Sequence, residues 1–136
     1  MLFLKLASVW PSWSRCLSEE ERVVLEEDVT RKEVEVSLWS MKPFKAPGPD
    51  EYHAGFYRRN WHIVKDSVVK LVTDIFENGS MPNHLNKTLI TLIPKCPGAD
   101  CLGLFRPISL CNTIYKLITK VLVNRMRPMR SEEQHV

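Results

Sequence analysis

Three stretches of the chain repeat apolar residues at helical spacing, and one alternates them at strand spacing. Val34, Leu38 and Met41 share one face of a 3.6-residue period. Thr30, with Glu33 three residues on, makes a capping-box pair, so the pattern predicts a helix from about Thr30 to Met41. The prolines at 43, 47 and 49 end it, because each lacks an N–H and pushes its predecessor out of the α region. Asp50 is the expected N-cap of a helix through "EYHAGFYRRNW". A longer helix follows from about Trp61 to Asn78, its stripe formed by Trp61, Val64, Val68, Leu71, Val72, Ile75 and Phe76 and its end by a left-handed Gly79.

The alternating stretch is "KTLITLIPK", from Lys87 to Lys95. It predicts a strand with Leu89, Thr91 and Ile93 on one face and Ile90 and Leu92 on the other. "CPGADCLG" reads as a loop, and Pro107 confines "LFRPISL" to an edge strand or extended segment. The last strong element is "NTIYKLITKVLVNRMRPM", with Ile114, Leu117, Ile118, Val121, Leu122 and Met129 on or beside one face, Lys116 and Lys120 together on another, and Pro128 as its expected end. The fold class is therefore α+β and mostly helical, with a small β element, in about one domain's length. Residues 1–16 form an unassigned apolar N-terminus and residues 131–136 a tail.

Composition removes several functional classes. No window reaches the roughly 18 uninterrupted apolar residues of a membrane span, and the apolar start lacks a small-residue cleavage site. Cys16, Cys96, Cys101 and Cys111 include no C-x-x-C pair and no histidine couple at zinc-ligand spacing, so neither a metal site nor a disulfide framework is expected. An intracellular protein, nuclear or cytoplasmic and not secreted, is the consequence. His53, His62, His84 and His135 have no mutual metal-binding spacing, Ser109 lacks a nucleophile-elbow context, and no P-loop is present. No catalytic residue is assigned.

The net charge of +3 says little by itself, but the charges are segregated. Eight acids crowd Glu19 to Glu35, whereas no acid lies between Asp100 and Glu132, where Arg106, Lys116, Lys120, Arg125, Arg127 and Arg130 all fall. A stripe of one sign suits a polyanion, and RNA or DNA, bound weakly, is the expected partner; a solvated helix face is the competing reading. Lys95 ends the first strand and Arg106 begins the next. Two strand ends joined by a turn could bring both cations to one side, where ammonium and guanidinium suit a triphosphate.

Three blocks together carry a resemblance: "SMKPFKAPGPD", "FYRRNWHIVKDSVVKLVTDIFENGSMPNHLNKTLITLIPK" and "FRPISLCNTIYKLITKVLVNRM". From about Leu17 to Met126 they resemble, in order and with similar gaps, the reverse transcriptase of LINE-type non-LTR retrotransposons, the plant versions in particular. The resemblance implies that residues 17–130 are a partial reverse transcriptase domain, the N-terminal extension and fingers of a right-hand polymerase without its palm. It also implies that Lys95 of "IPK" and Arg106 of "FRPIS" contact an incoming nucleotide, and that Lys116, Lys120, Arg125 and Arg127 grip a nucleic-acid backbone. The missing palm would be the natural packing partner, and both chain ends look like truncation points.

Two departures from the family pattern stand out. Glu51 occupies the place of a glycine after "GPD". The Y-x-D-D box and the earlier palm aspartate are absent, and Asp28, Asp50, Asp66, Asp74 and Asp100 are isolated from one another. Mg²⁺ is expected only for a full-length polymerase, where carboxylates hold two metal ions. The isolated chain is thus expected to be a catalytically inactive fragment, with a non-catalytic nucleic-acid-binding module or a non-functional translated relic as alternatives.

Overall fold

The computed structural model describes residues 18–130, so the apolar N-terminus and the tail lie outside the described residues, together with Cys16 and His135. Five helices and two strands follow in chain order: α1 (Glu19–Glu26), α2 (Arg31–Ser40), α3 (Ala54–Arg59), α4 (Trp61–Asn78), β1 (Thr88–Pro94), β2 (Phe105–Cys111) and α5 (Thr113–Arg130). The chain is α+β and mostly helical, as its periodicities require. None of the described helices is long and apolar enough to cross a membrane.

Capping chemistry sets several boundaries. Thr30 Oγ1 accepts from Glu33 N, and the Glu33 carboxylate accepts from Thr30 N, closing the box that opens α2. Gly79, at φ 61° and ψ 20°, closes α4 by donating to Ile75 O. Helix α1 is an addition to the sequence reading. Ser18 and Glu21 form a second capping box, but no residue of the helix is buried, and contiguous Val23, Val24 and Leu25 hide the helical period.

Two boundaries are corrected. His53, not Asp50, caps α3: its Nδ1 accepts from Phe56 N at 3.0 Å. Asp50 instead sits in a turn closed by Glu51 N donating to Gly48 O, and its Oδ1 accepts from Tyr52 N. Because Glu51 then takes φ 61°, right-handed helix cannot start until the chain has left that turn. At the other end, α5 runs through Pro128 to Arg130, since a proline in the last turn forfeits a single helical bond.

The core lies between α2, α4 and α5. Val34 and Leu38 of α2, Val72 of α4 and Leu117 of α5 have no exposed surface, and Val68, Ile75, Ile114, Ile118 and Val121 are buried beside them. Each such side chain stabilises the fold by roughly 1.5–3 kcal/mol before chain entropy is counted. The predicted stripes of α2, α4 and α5 are the faces that meet here. Arg58 extends from α3 to the carbonyls of Leu38, Trp39 and Met41, supplying the partners that the end of α2 lacks.

The strands form a two-stranded antiparallel ribbon in which Thr88 pairs with Cys111 and Pro94 with Phe105. Lys95 N donates to Leu104 O, which fixes the ladder phase. Hydrogen-bonded pairs then fall at Ile93–Arg106, Thr91–Ile108 and Leu89–Leu110, so Pro94 and Pro107 occupy positions that need no N–H in this ladder. Every residue of β1 is exposed.

Candidate nucleic-acid interface

Ladder phase decides where the two ribbon cations point. Arg106 is paired with Ile93, and Lys95 lies two residues further along the same strand face. The two side chains are diagonal cross-strand neighbours at the open end of the ribbon, a separation of about 7–8 Å at the backbone. Both are exposed. Lys95 Nζ donates to Gly103 O at 2.8 Å, which leaves an ammonium two further donors, and Arg106 has no side-chain partner among the described residues.

The four cations of α5 separate into different environments. Lys120 is half-buried, and its side chain has no partner among the described residues; Arg127 is exposed. Lys116 Nζ donates to Ala46 O at 3.0 Å and so braces the loop before α3.

Arg125 is the exception that changes the reading of the stripe. It is 8% exposed, and all five of its N–H donors are engaged. Nε and Nη2 reach the two carboxylate oxygens of Glu33 at 2.7 and 3.0 Å, and the remaining contacts go to the carbonyls of Leu25, Glu27 and Asp28. The guanidinium therefore ties the end of α1 and the start of α2 to α5 and has no donor left for a phosphate. Its bond to Glu33, assisted by the Thr30 capping bonds, holds that carboxyl down at about 2 against the opposing effect of burial. The clue in sequence is position: Arg125 is four residues beyond Val121, the next place on the buried stripe.

The "KAPGPD" loop docks on the junction between β2 and α5. A Cβ on Gly48 would lie 2.4 Å from both Asn112 N and Cys111 C, so only glycine permits this approach. Buried Asn112 accepts from Asp50 N at 3.2 Å and donates to His84 O at 3.1 Å, joining the loop, the entry to β1 and the start of α5. Thr113 Oγ1 donates to Tyr52 O at 2.6 Å. Asn112 and Thr113 escaped the sequence reading because their partners lie 28 to 62 residues away. Glu51, standing where the family pattern has glycine, is the one non-glycine residue at positive φ among those described.

The acidic side chains do not fit the metal pair that the resemblance associates with a complete polymerase. Asp66 pairs with Arg31, Asp74 with Lys70, and Asp50 serves its turn; among the described residues no three His, Cys, Asp or Glu side chains group as metal ligands.

The comparisons with known proteins point to mobile elements. No protein-family model matches the chain. It is 27% identical over 119 residues to the transposon TX1 uncharacterized 149 kDa protein of Xenopus laevis, covering 88% of this chain and 9% of that protein. It is 32% identical over 82 residues to the retrovirus-related Pol polyprotein from type-1 retrotransposable element R2 of Bradysia coprophila, covering 60% of this chain and 9% of that protein. These relatives are non-LTR retrotransposon proteins, so the chain is a retroelement-derived protein that spans 9% of the length of each.

Proposed function

We propose that the chain is the N-terminal extension and fingers portion of a LINE-type RNA-directed DNA polymerase, plant-like in its motifs and incomplete for catalysis in isolation. The observation that carries this reading is the ribbon register, which sets Lys95 and Arg106 as diagonal neighbours on one face at the positions the resemblance gives to triphosphate contacts. Kinship with retrotransposon proteins supports it. An ammonium and a guanidinium at this spacing can share the oxygens of one phosphate chain, while Lys120 and Arg127 on α5 supply sequence-independent attraction to a backbone. Arg125 is left out of that grip for the reasons given above. The exposed ribbon face is the natural seat for the palm of a complete polymerase.

Titrating isotope-labelled chain with a deoxynucleoside triphosphate tests the reading. Chemical-shift changes should concentrate at Lys95 and Arg106 and vanish with the nucleoside lacking phosphates; changes spread elsewhere, or identical with the nucleoside, contradict it. Primer extension with Mg²⁺ or Mn²⁺ should stay at background, and incorporation of deoxynucleotides would refute catalytic incompleteness.

A further inference from the structure

Beside the docked loop lies a second surface, which the nucleotide and backbone contacts above leave unused. The segment between α2 and α4 encloses an open cleft of about 660 Å³ whose walls include Phe44, Tyr52, His53, Phe56 and Arg59. The size suits a small planar group. Two of its aromatic rings face solvent: Phe44 is 83% exposed and Tyr52 48%. Phe44 meets His53 edge-on with centroids 5.6 Å apart, and Tyr52 lies tilted on Phe56 at 4.5 Å, so the rings form two supported pairs.

The backbone of Tyr52 and His53 is pinned. Tyr52 N donates to Asp50 Oδ1, Tyr52 O accepts from Thr113 Oγ1, and His53 is fixed as the cap of α3. Gly55 lets the chain pack closely here, since a Cβ there would come within 3.1 Å of His53 Nδ1 and 3.2 Å of Pro43 O. A rigid aromatic surface loses little entropy when a flat ligand stacks on it. Charge selects the ligand. Arg59 is exposed on the cleft wall and Lys42 and Lys45 flank Pro43 and Phe44, none with a side-chain partner among the described residues, against the single exposed acid Glu51. Arg58 takes no part, being engaged with the end of α2.

We propose that this cleft is a stacking site for unpaired bases of single-stranded nucleic acid, with Phe44 and Tyr52 as the base platform and Lys42, Lys45 and Arg59 beside the phosphates. The proposal rests on the nucleic-acid reading above but not on Lys95, Arg106 or α5. A proline-rich peptide could also lie along aromatic rings, but three unpaired cations favour a polyanion.

The test is fluorescence anisotropy with the whole chain and two labelled probes, an oligouridine of about 12 nucleotides and an abasic backbone of equal length, at about 50 mM salt. The base-bearing probe should bind at least about fivefold tighter than the abasic one, with Phe44→Ala erasing the difference and Phe44→Trp restoring it. Phe44 is too exposed for its truncation to unfold the chain. Equal affinity for both probes, unchanged by Phe44→Ala, overturns the stacking site while leaving a phosphate grip intact. Failure to bind either probe overturns both, and binding of a polyproline peptide in their place assigns the cleft to protein.

Discussion

Helix α5 and the β1–β2 ribbon adjoin at Asn112 and carry similar apolar content, yet they use it in opposite ways. Leu117 of α5 is wholly buried, whereas Ile90 of β1 is 71% exposed. A helix with a 3.6-residue period gathers its apolar residues into one stripe, which α2 and α4 cover. A two-stranded ribbon has two faces and must be layered on both to hide Leu89 and Ile93 on one and Ile90 and Leu92 on the other. The lesson is that apolar content reports burial only together with a partner of matching shape. The helices carry the stability of the chain, and the ribbon carries surface.

Substitutions at the α5 end of this comparison should have the largest effects. Arg125→Ala strands the Glu33 carboxylate and three carbonyls, and should lower unfolding free energy by about 3 kcal/mol in urea denaturation. A loss below about 0.5 kcal/mol would mean that the guanidinium is not the tie described here. Gly48→Ala drives a methyl into the backbone of Asn112 and Cys111, and the expected cost is about 2–3 kcal/mol in the same assay.

The pH dependence is next in size. Because Glu33 is depressed to about 2 in the folded chain, its contribution is fully present above the ordinary glutamate range and is lost as pH falls toward 2. Its side chain remains 35% exposed, so solvent screening reduces the contribution to about 1–2 kcal/mol. Thermal melts from pH 6 down to 2 should show this loss in the wild type and not in Arg125→Met.

Smaller effects should mark the loop and the ribbon. Glu51→Gly relieves a left-handed residue with a side chain, for a gain of about 1 kcal/mol; a neutral result would mean that the turn is unstrained. Ile90→Lys should change stability by under about 0.5 kcal/mol while raising the concentration at which the chain aggregates. A large destabilisation by Ile90→Lys would show that the ribbon faces are covered after all.

Local signals made most of the fold legible. The Thr30–Glu33 box, the α4 stripe with Gly79 and the alternation in "TLITLIP" each act within a few residues, and each element formed where they place it. Where the reading failed, a distant partner decided. Asp50 has the composition of a cap, but its turn, tied to Asn112, delays the helix to His53. The place of Arg125 on the α5 stripe hints at burial, but its partners, Glu33 and three carbonyls, lie 92 to 100 residues away in sequence. The candidate site divides in the same way: Lys95 and Arg106 could be singled out from strand ends, but their common face follows from the ladder phase. The docking of Gly48 on Asn112 depends on two backbones that only tertiary structure brings together.

The division of labour between an engaged Arg125 and the other cations of α5 is tested most directly by salt-titrated binding of single-stranded RNA. Affinity should fall steeply from low to physiological salt, and Lys120→Ala or Arg127→Ala should each make the logarithmic slope shallower by about one. An affinity flat across that range, or a slope unmoved by both substitutions, would contradict the account.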